Sequence, residues 1–226
     1  MNRRRLALWL FVVLAISGVI LFWYRSEPRF QRKPLRVWLT EVQSGNLAAS
    51  NVIRELGTNS LPVLLRMVQD KDPSWRQSWT RLHREWDRRQ IRGTIDYAYP
   101  PGDECRVLAV SGFNALGPIA GPAIPELTRL LNQEDTAFYA ASALVAIGPE
   151  AVPALITGLR NSNAWVRSRT AMVISLAPWS ITSSNASVLV GSLIDGLKDG
   201  DENVRFFCAE ALKKIDPEAA ANAGAK

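Results

Sequence analysis

Histidine is nearly absent from this chain: His83 is the only one in 226 residues, and it stands among arginines that oppose both a bound cation and its own protonation. That leaves neither a histidine-built zinc site nor a Ser-His-acid triad with the partners it needs. Cysteine is scarce as well. Cys105 and Cys208 are the only two, far apart and each set in an apolar helical pattern, which excludes a disulfide-stapled framework and predicts two buried thiols. The acid clusters Asp70 with Asp72 and Asp199 with Asp201 and Glu202 lie in expected inter-helix turns, where helix capping accounts for them. Gly112, Gly117 and Gly121 are followed by no Gly-Lys-Ser or Gly-Lys-Thr, so there is no phosphate loop. The chain is therefore expected to hold no cofactor and no metal ion and to lack catalytic residues.

Charge is missing altogether from residues 6–24, LALWLFVVLAISGVILFWY, a run about as long as a bilayer's hydrocarbon core is thick at ~1.5 Å of rise per residue. Trp9, Trp23 and Tyr24 lie near its ends, where amphipathic rings favour the headgroup layer. The formal net charge of +6 also belongs to this end of the chain. Residues 1–36 carry eight of the 27 Lys and Arg and only one acid, Glu27, so the remainder is close to neutral and no genome-binding fold is implied. A cleaved signal peptide is the competing reading, because Ala15, Ser17 and Gly18 follow a shorter apolar run. The run continues through Val19 to Phe22, which favours an uncleaved single-pass anchor. Arginines flank both ends, so the positive-inside rule is almost balanced; the leading Arg3–Arg5 cluster places residues 25–226 on the non-cytoplasmic, periplasmic side.

The rest of the chain repeats itself. Residues 124–149, IPELTRLLNQEDTAFYAASALVAIGP, align with residues 152–178 so that Pro125 and Pro153, Leu127 and Leu155, Asp135 and Asn163, and Ala143 and Ala171 fall 28 positions apart. The unit returns near residues 193–215 and, earlier, at residues 61–72. Each copy reads as an apolar helix opened by proline, a short polar turn and an Ala-rich second helix. Pro62, Pro125 and Pro153 suit the first turn of a helix; Asp72, Asn163 and Asp201 suit an N-cap; Gly57, Gly117 and Gly148 suit a C-terminal cap. A single pair cannot bury its own apolar face, so the pairs must stack.

These residues resemble HEAT-like repeats of the short bacterial kind related to those of phycobilisome lyases. The resemblance is carried by Leu116-Gly117-Pro118, by Ile147-Gly148-Pro149 with Ala151 and Pro153, and by an acid or Asn followed after two residues by an apolar residue and Arg. That last pattern stands at Asn163 with Val166-Arg167, Asp201 with Val204-Arg205 and Asp72 with Trp75-Arg76. It departs at position 139, where Tyr replaces Arg. The resemblance covers roughly residues 47–215 and implies an all-α fold, a right-handed α-solenoid of stacked helix pairs that binds proteins. The implied organisation is a basic N-terminus (1–5), a transmembrane anchor (6–24), a juxtamembrane linker with a short helix (25–46), the repeat domain (47–215) with an insertion at about 75–103, and a flexible tail (216–226).

Two surfaces are candidates for the partner. In the insertion, Trp75, Trp79, Leu82 and Trp86 form one helical stripe while Arg76, Arg81, Arg84 and Arg88 populate other faces. The stripe reads either as core of an extended repeat or as a contact surface. The second surface is the row on the second helices: Tyr139, Trp165, Arg167, Arg169 and Arg205 with Phe206. Arg167 and Arg205 have an alternative role there, fastening one repeat to the next. The leading functional reading is a membrane-anchored scaffold for a protein partner. Salt-dependent binding of an acidic membrane surface or nucleic acid by the 75–92 helix is the alternative, with nucleic acid disfavoured by the neutral domain, and a lyase-like enzyme stands behind both. Because the repeat places Leu127 and Leu155 in the stacked core, Leu127→Ala or Leu155→Ala is expected to cost about 2–5 kcal/mol in a thermal or urea melt.

Overall fold

The computed structural model describes residues 29–31, 33–70, 102–177 and 186–224, and these are mostly helical. The predicted anchor (6–24) and the Trp/Arg stripe of the insertion lie outside the described residues. The described chain opens with an antiparallel hairpin, β1 (Arg29–Phe30) and β2 (Lys33–Pro34), with Phe30 opposite Lys33 and Gln31 at φ 50° in its turn. Five helix pairs follow: α1 (Leu35–Gln43) with α2 (Leu47–Leu56), α3 (Leu61–Gln69) with α4 (Gly102–Leu116), α5 (Ile124–Leu131) with α6 (Glu134–Ile147), α7 (Val152–Leu159) with α8 (Ala164–Leu176), and α9 (Ala186–Gly196) with α10 (Glu202–Ile215). A short α11 (Pro217–Asn222) closes the order.

The second helices α4, α6, α8 and α10 pack on one another in succession, and the first helices α5, α7 and α9 form the layer behind them. Ala140, Ala141, Ala143 and Ala171 are completely buried between these layers, beside Leu127, Leu144, Leu155 and Ile174. Small side chains let the second helices approach closely, so their layer is the more intimately packed of the two.

Punctuation in the sequence sets the joints. Gly57, Gly117 and Gly148 have φ of 55°, 56° and 102°, a region that favours glycine, and each ends a second helix. A 3-10 turn then leads into the next first helix: Gly57–Ser60, Gly117–Ala123 and Pro149–Ala151. Pro62, Pro125 and Pro153 stand at the start of those helices, where the missing N–H has no partner to lose. Within pairs, the side chains of Asn163 and Asp201 accept from the backbone N–H of Trp165 and Val204, as N-caps. Asn46 caps α2 in the same way.

Two expectations are corrected. The short helix placed in the juxtamembrane linker, α1, belongs to the packed body: Leu35 and Leu39 are fully buried, Trp38 nearly so, and α1 lies against both α2 and α4. The tail after residue 215 is not simply frayed, because Asp216 caps α11 through the N–H of Ala219 and Ala220 is buried against the rest. The stretch Cys105–Leu131 is long and apolar enough to cross a membrane by composition. Gly117 and the 3-10 turn break it, however, and Cys105, Ala109, Phe113, Leu127 and Leu130 are core residues, so its hydropathy is that of the packed interior. Cys105 and Cys208 are both buried free thiols, and burial pushes the Cys208 thiol up to about 12.

Two glycines make opposite predictions. A Cβ on Gly158 would stand 2.7 Å from both Leu131 Cδ2 and Thr170 Oγ1, whereas one on Gly191 in α9 would meet nothing within 4 Å. Gly158→Ala is expected to destabilise by about 1–3 kcal/mol through overpacking. Gly191→Ala is expected to stabilise by about 0.5–1 kcal/mol by restricting the unfolded chain. Urea midpoints of the two variants check the sign of each.

Candidate partner-binding face

The row on the second helices divides by helical geometry. Residues two apart on a helix point about 200° apart and residues four apart about 40° apart, so Trp165 and Arg169 share one side of α8 while Arg167 takes the other. The structure places Arg167 toward the following pair. Its Nε and Nη2 donate to Asp199 Oδ2 and Oδ1, both at 2.8 Å, and its Nη1 donates to the carbonyls of Asn161 at 2.9 Å and Ser162 at 3.0 Å. Arg205 repeats half of this arrangement, with Nη1 donating to the carbonyls of Asp199 at 2.7 Å and Gly200 at 3.0 Å. Both arginines, candidates for partner contact in the sequence, are thus engaged within the fold, fastening turn to helix and, for Arg167, repeat to repeat.

Counted from the helix N-caps Gln133, Asn163 and Asp201, Arg167 and Arg205 stand four residues in, where α6 has the buried Ala137, and Tyr139 stands six residues in, as Arg169 does. Tyr139 joins a surface groove. Its ring meets Phe138 edge-on at 5.3 Å between centroids, and the Arg106 guanidinium of α4 lies 5.5 Å from its centre. Arg106 Nη1 also donates to the carbonyl of Asp135 at 3.2 Å. From α8, the Arg169 guanidinium sits 3.9 Å over the Trp165 ring, and Trp165 remains 48% exposed. With Glu134 and Asp135 at one rim, these residues line a groove of about 410 Å³.

Tyr139, Trp165 and Arg169 are therefore brought together, whereas Arg167 and Arg205 face elsewhere. Trp75, Arg76, Arg81, Arg84 and Arg88 lie outside the described residues. Arg106, Phe138, Glu134 and Asp135 were not singled out from the sequence. Their only signal there is alignment of the repeats, which sets α4 beside α6. A second groove, of about 630 Å³, lies at the C-terminal end, lined by the exposed Phe206 and by Ile194, Leu197 and Ala209, with Lys198 and Glu202 beside them. Among the described residues, no three His, Cys, Asp or Glu side chains are grouped to hold a metal ion.

Residues 137–161 match the family model of the PBS lyase HEAT-like repeat. The matched segment runs from α6 through the Gly148 joint and α7 into the following turn, the second helix of one pair and the first of the next. It contains Tyr139 and ends at Asn161, whose carbonyl Arg167 holds. Among curated proteins, none matches the chain.

The Arg167–Asp199 pair makes the last helix pair pH-sensitive. Hydrogen bonds from Arg167 hold the Asp199 carboxyl below its ordinary value of 3.8, outweighing the opposing effect of burial. A carboxyl lowered by folding adds stability that is complete above its unfolded value and is lost as pH falls toward the folded one. Asp199→Ala is expected to cost about 1.5–3 kcal/mol near neutral pH, the range for hydrogen bonds to a charged group. Urea midpoints of wild type and variant are expected to stay apart down to about pH 5 and to converge below about pH 4.

Proposed function

We propose that this protein is a membrane-anchored helical-repeat scaffold, a right-handed α-solenoid that holds a protein partner against the groove between α4, α6 and α8. The observation that carries the reading is the exposed Trp165–Arg169 stack beside Tyr139. Trp, Tyr and Arg are the residue types that dominate binding energy at protein interfaces. They are mounted here on packed helices, so little conformational freedom is lost when a partner docks. The closer packing of the second helices makes theirs the inner, concave layer, the side along which an extended partner gains most contact. The HEAT-like match in residues 137–161 supports the same reading, since repeats of this kind mostly serve as scaffolds.

Anchoring rests on the uncharged run 6–24, with the repeat body on the periplasmic side. The described chain begins at Arg29, only a few residues past that run, so the partner is expected at the membrane surface. A photo-crosslinking amino acid at position 139 of the full-length chain, activated in intact native membranes, tests the proposal. The expected result is one protein species joined in good yield, lost in Trp165→Ala and retained in Lys198→Ala at the distant end. Lipid or nucleic acid as the joined species, or no product at all, would overturn the scaffold reading. Carbonate extraction and protease accessibility of the same membranes are expected to show an integral protein with its repeat domain outside the cytoplasm.

A further inference from the structure

Resting on that reading, we infer that the groove selects a segment of the partner protein in which a carboxylate side chain adjoins a large apolar one, with the carboxylate on Arg169 and the apolar group on Trp165. The arginines of this region differ in what each already binds. Arg106, across the groove, lies against Tyr139 and donates to the carbonyl of Asp135. Arg167 makes four hydrogen bonds, two to Asp199 and two to carbonyls, and Arg205 holds two carbonyls. Arg129 is closed on Glu126 by two hydrogen bonds, and Arg54 donates to the carbonyl of Ala115 and to Asn51. Arg169 differs. Its interactions are the Trp165 ring and one contact from Nη1 to Met172 Sδ at 3.3 Å, a weak acceptor.

Placed over an indole, a guanidinium presents its π face to the ring and keeps its N–H edge in plane, the geometry that grips a carboxylate with two parallel hydrogen bonds. The stack also holds the guanidinium in place, so less side-chain freedom is lost on binding than for an unsupported arginine. Trp165, half exposed, supplies apolar area next to that edge.

The acids of the groove set its polarity. Glu134 and Asp135 sit in the first turn of α6, where the helix N-terminus favours negative charge, and Glu134 Oε1 accepts from Asn163 Nδ2 at 2.6 Å. Arg169 stands in the second turn of α8, a turn further along. A bound segment is therefore oriented, with its carboxylate toward Arg169 and neutral or basic residues over Glu134 and Asp135. The same two carboxylates oppose a run of phosphates, which is why a protein segment and not a nucleic acid fits.

The test uses the full-length chain in nanodiscs and a library of capped heptapeptides, each carrying one central Glu flanked by Phe or Leu, with Gln in place of Glu as the matched set. Anisotropy titrations are expected to show Glu peptides binding at least tenfold tighter than their Gln counterparts. Arg169→Lys, which keeps the charge but loses the fork and the stack, is expected to remove most of that preference, while Arg205→Lys leaves it intact. Equal affinity for Glu and Gln peptides, binding by neither set, or a preference unchanged in Arg169→Lys would overturn the inference. So would tighter, Arg169-dependent binding of a single-stranded 12-mer oligonucleotide. If position 139 still crosslinks a protein in membranes while the peptides show no Glu preference, the scaffold stands and the carboxylate assignment alone falls. If position 139 joins no protein, the scaffold reading falls with it.

Discussion

Everything in this structure depends on how closely one second helix can lie against the next. Among the described residues one continuous core runs through all the helix pairs, so each apolar face is covered by its neighbour. That neighbour arrives closely because the contact positions are small. Ala140, Ala141, Ala143 and Ala171 are fully buried, and within the pairs Gly158 and Gly196 of the first helices admit Thr170 and Cys208 of the second where a methyl group would not fit. The same approach that buries alanine brings Arg106, Tyr139 and Trp165, from three different helices, to one groove.

Much of the fold was legible because its joints are written in residues with few alternatives. A glycine at positive φ, a 3-10 turn and a proline in the first helical turn leave a recognisable signature at each of three junctions. Where the signature is missing, the reading stopped short. No Gly joint precedes α1, whose N-cap is Pro34, and α1 passed for a linker although Leu35 and Leu39 are fully buried. α11 is six residues long, too short for periodicity to register.

The site was legible only in part. Aromatic and arginine residues on the second helices stood out, and helical spacing groups Trp165 with Arg169. What separates Arg169 from Arg167 is not in their own identity or exposure. It is decided by the turn before α8, whose carbonyls Arg167 gathers, and by Asp199, 32 residues further along. Turn length matters as well: with two residues fewer before α6 than before α8, a 28-residue alignment sets Tyr139 against Arg167, whereas its place in the helix is that of Arg169. Arg106 enters from a helix 33 residues away, a relation that only stacking creates.

The hairpin ahead of α1 has a mechanical meaning. Trp38 Nε1 donates to the Phe30 carbonyl at 3.2 Å, and Lys33 Nζ lies 4.5 Å over the Trp38 ring while donating to Glu41 Oε1 at 2.9 Å. The first described residues are thereby strapped to the first helix pair. A pull or tilt that reaches the hairpin is passed through these contacts to α1, and from α1 to both α2 and α4, before any other part of the stack.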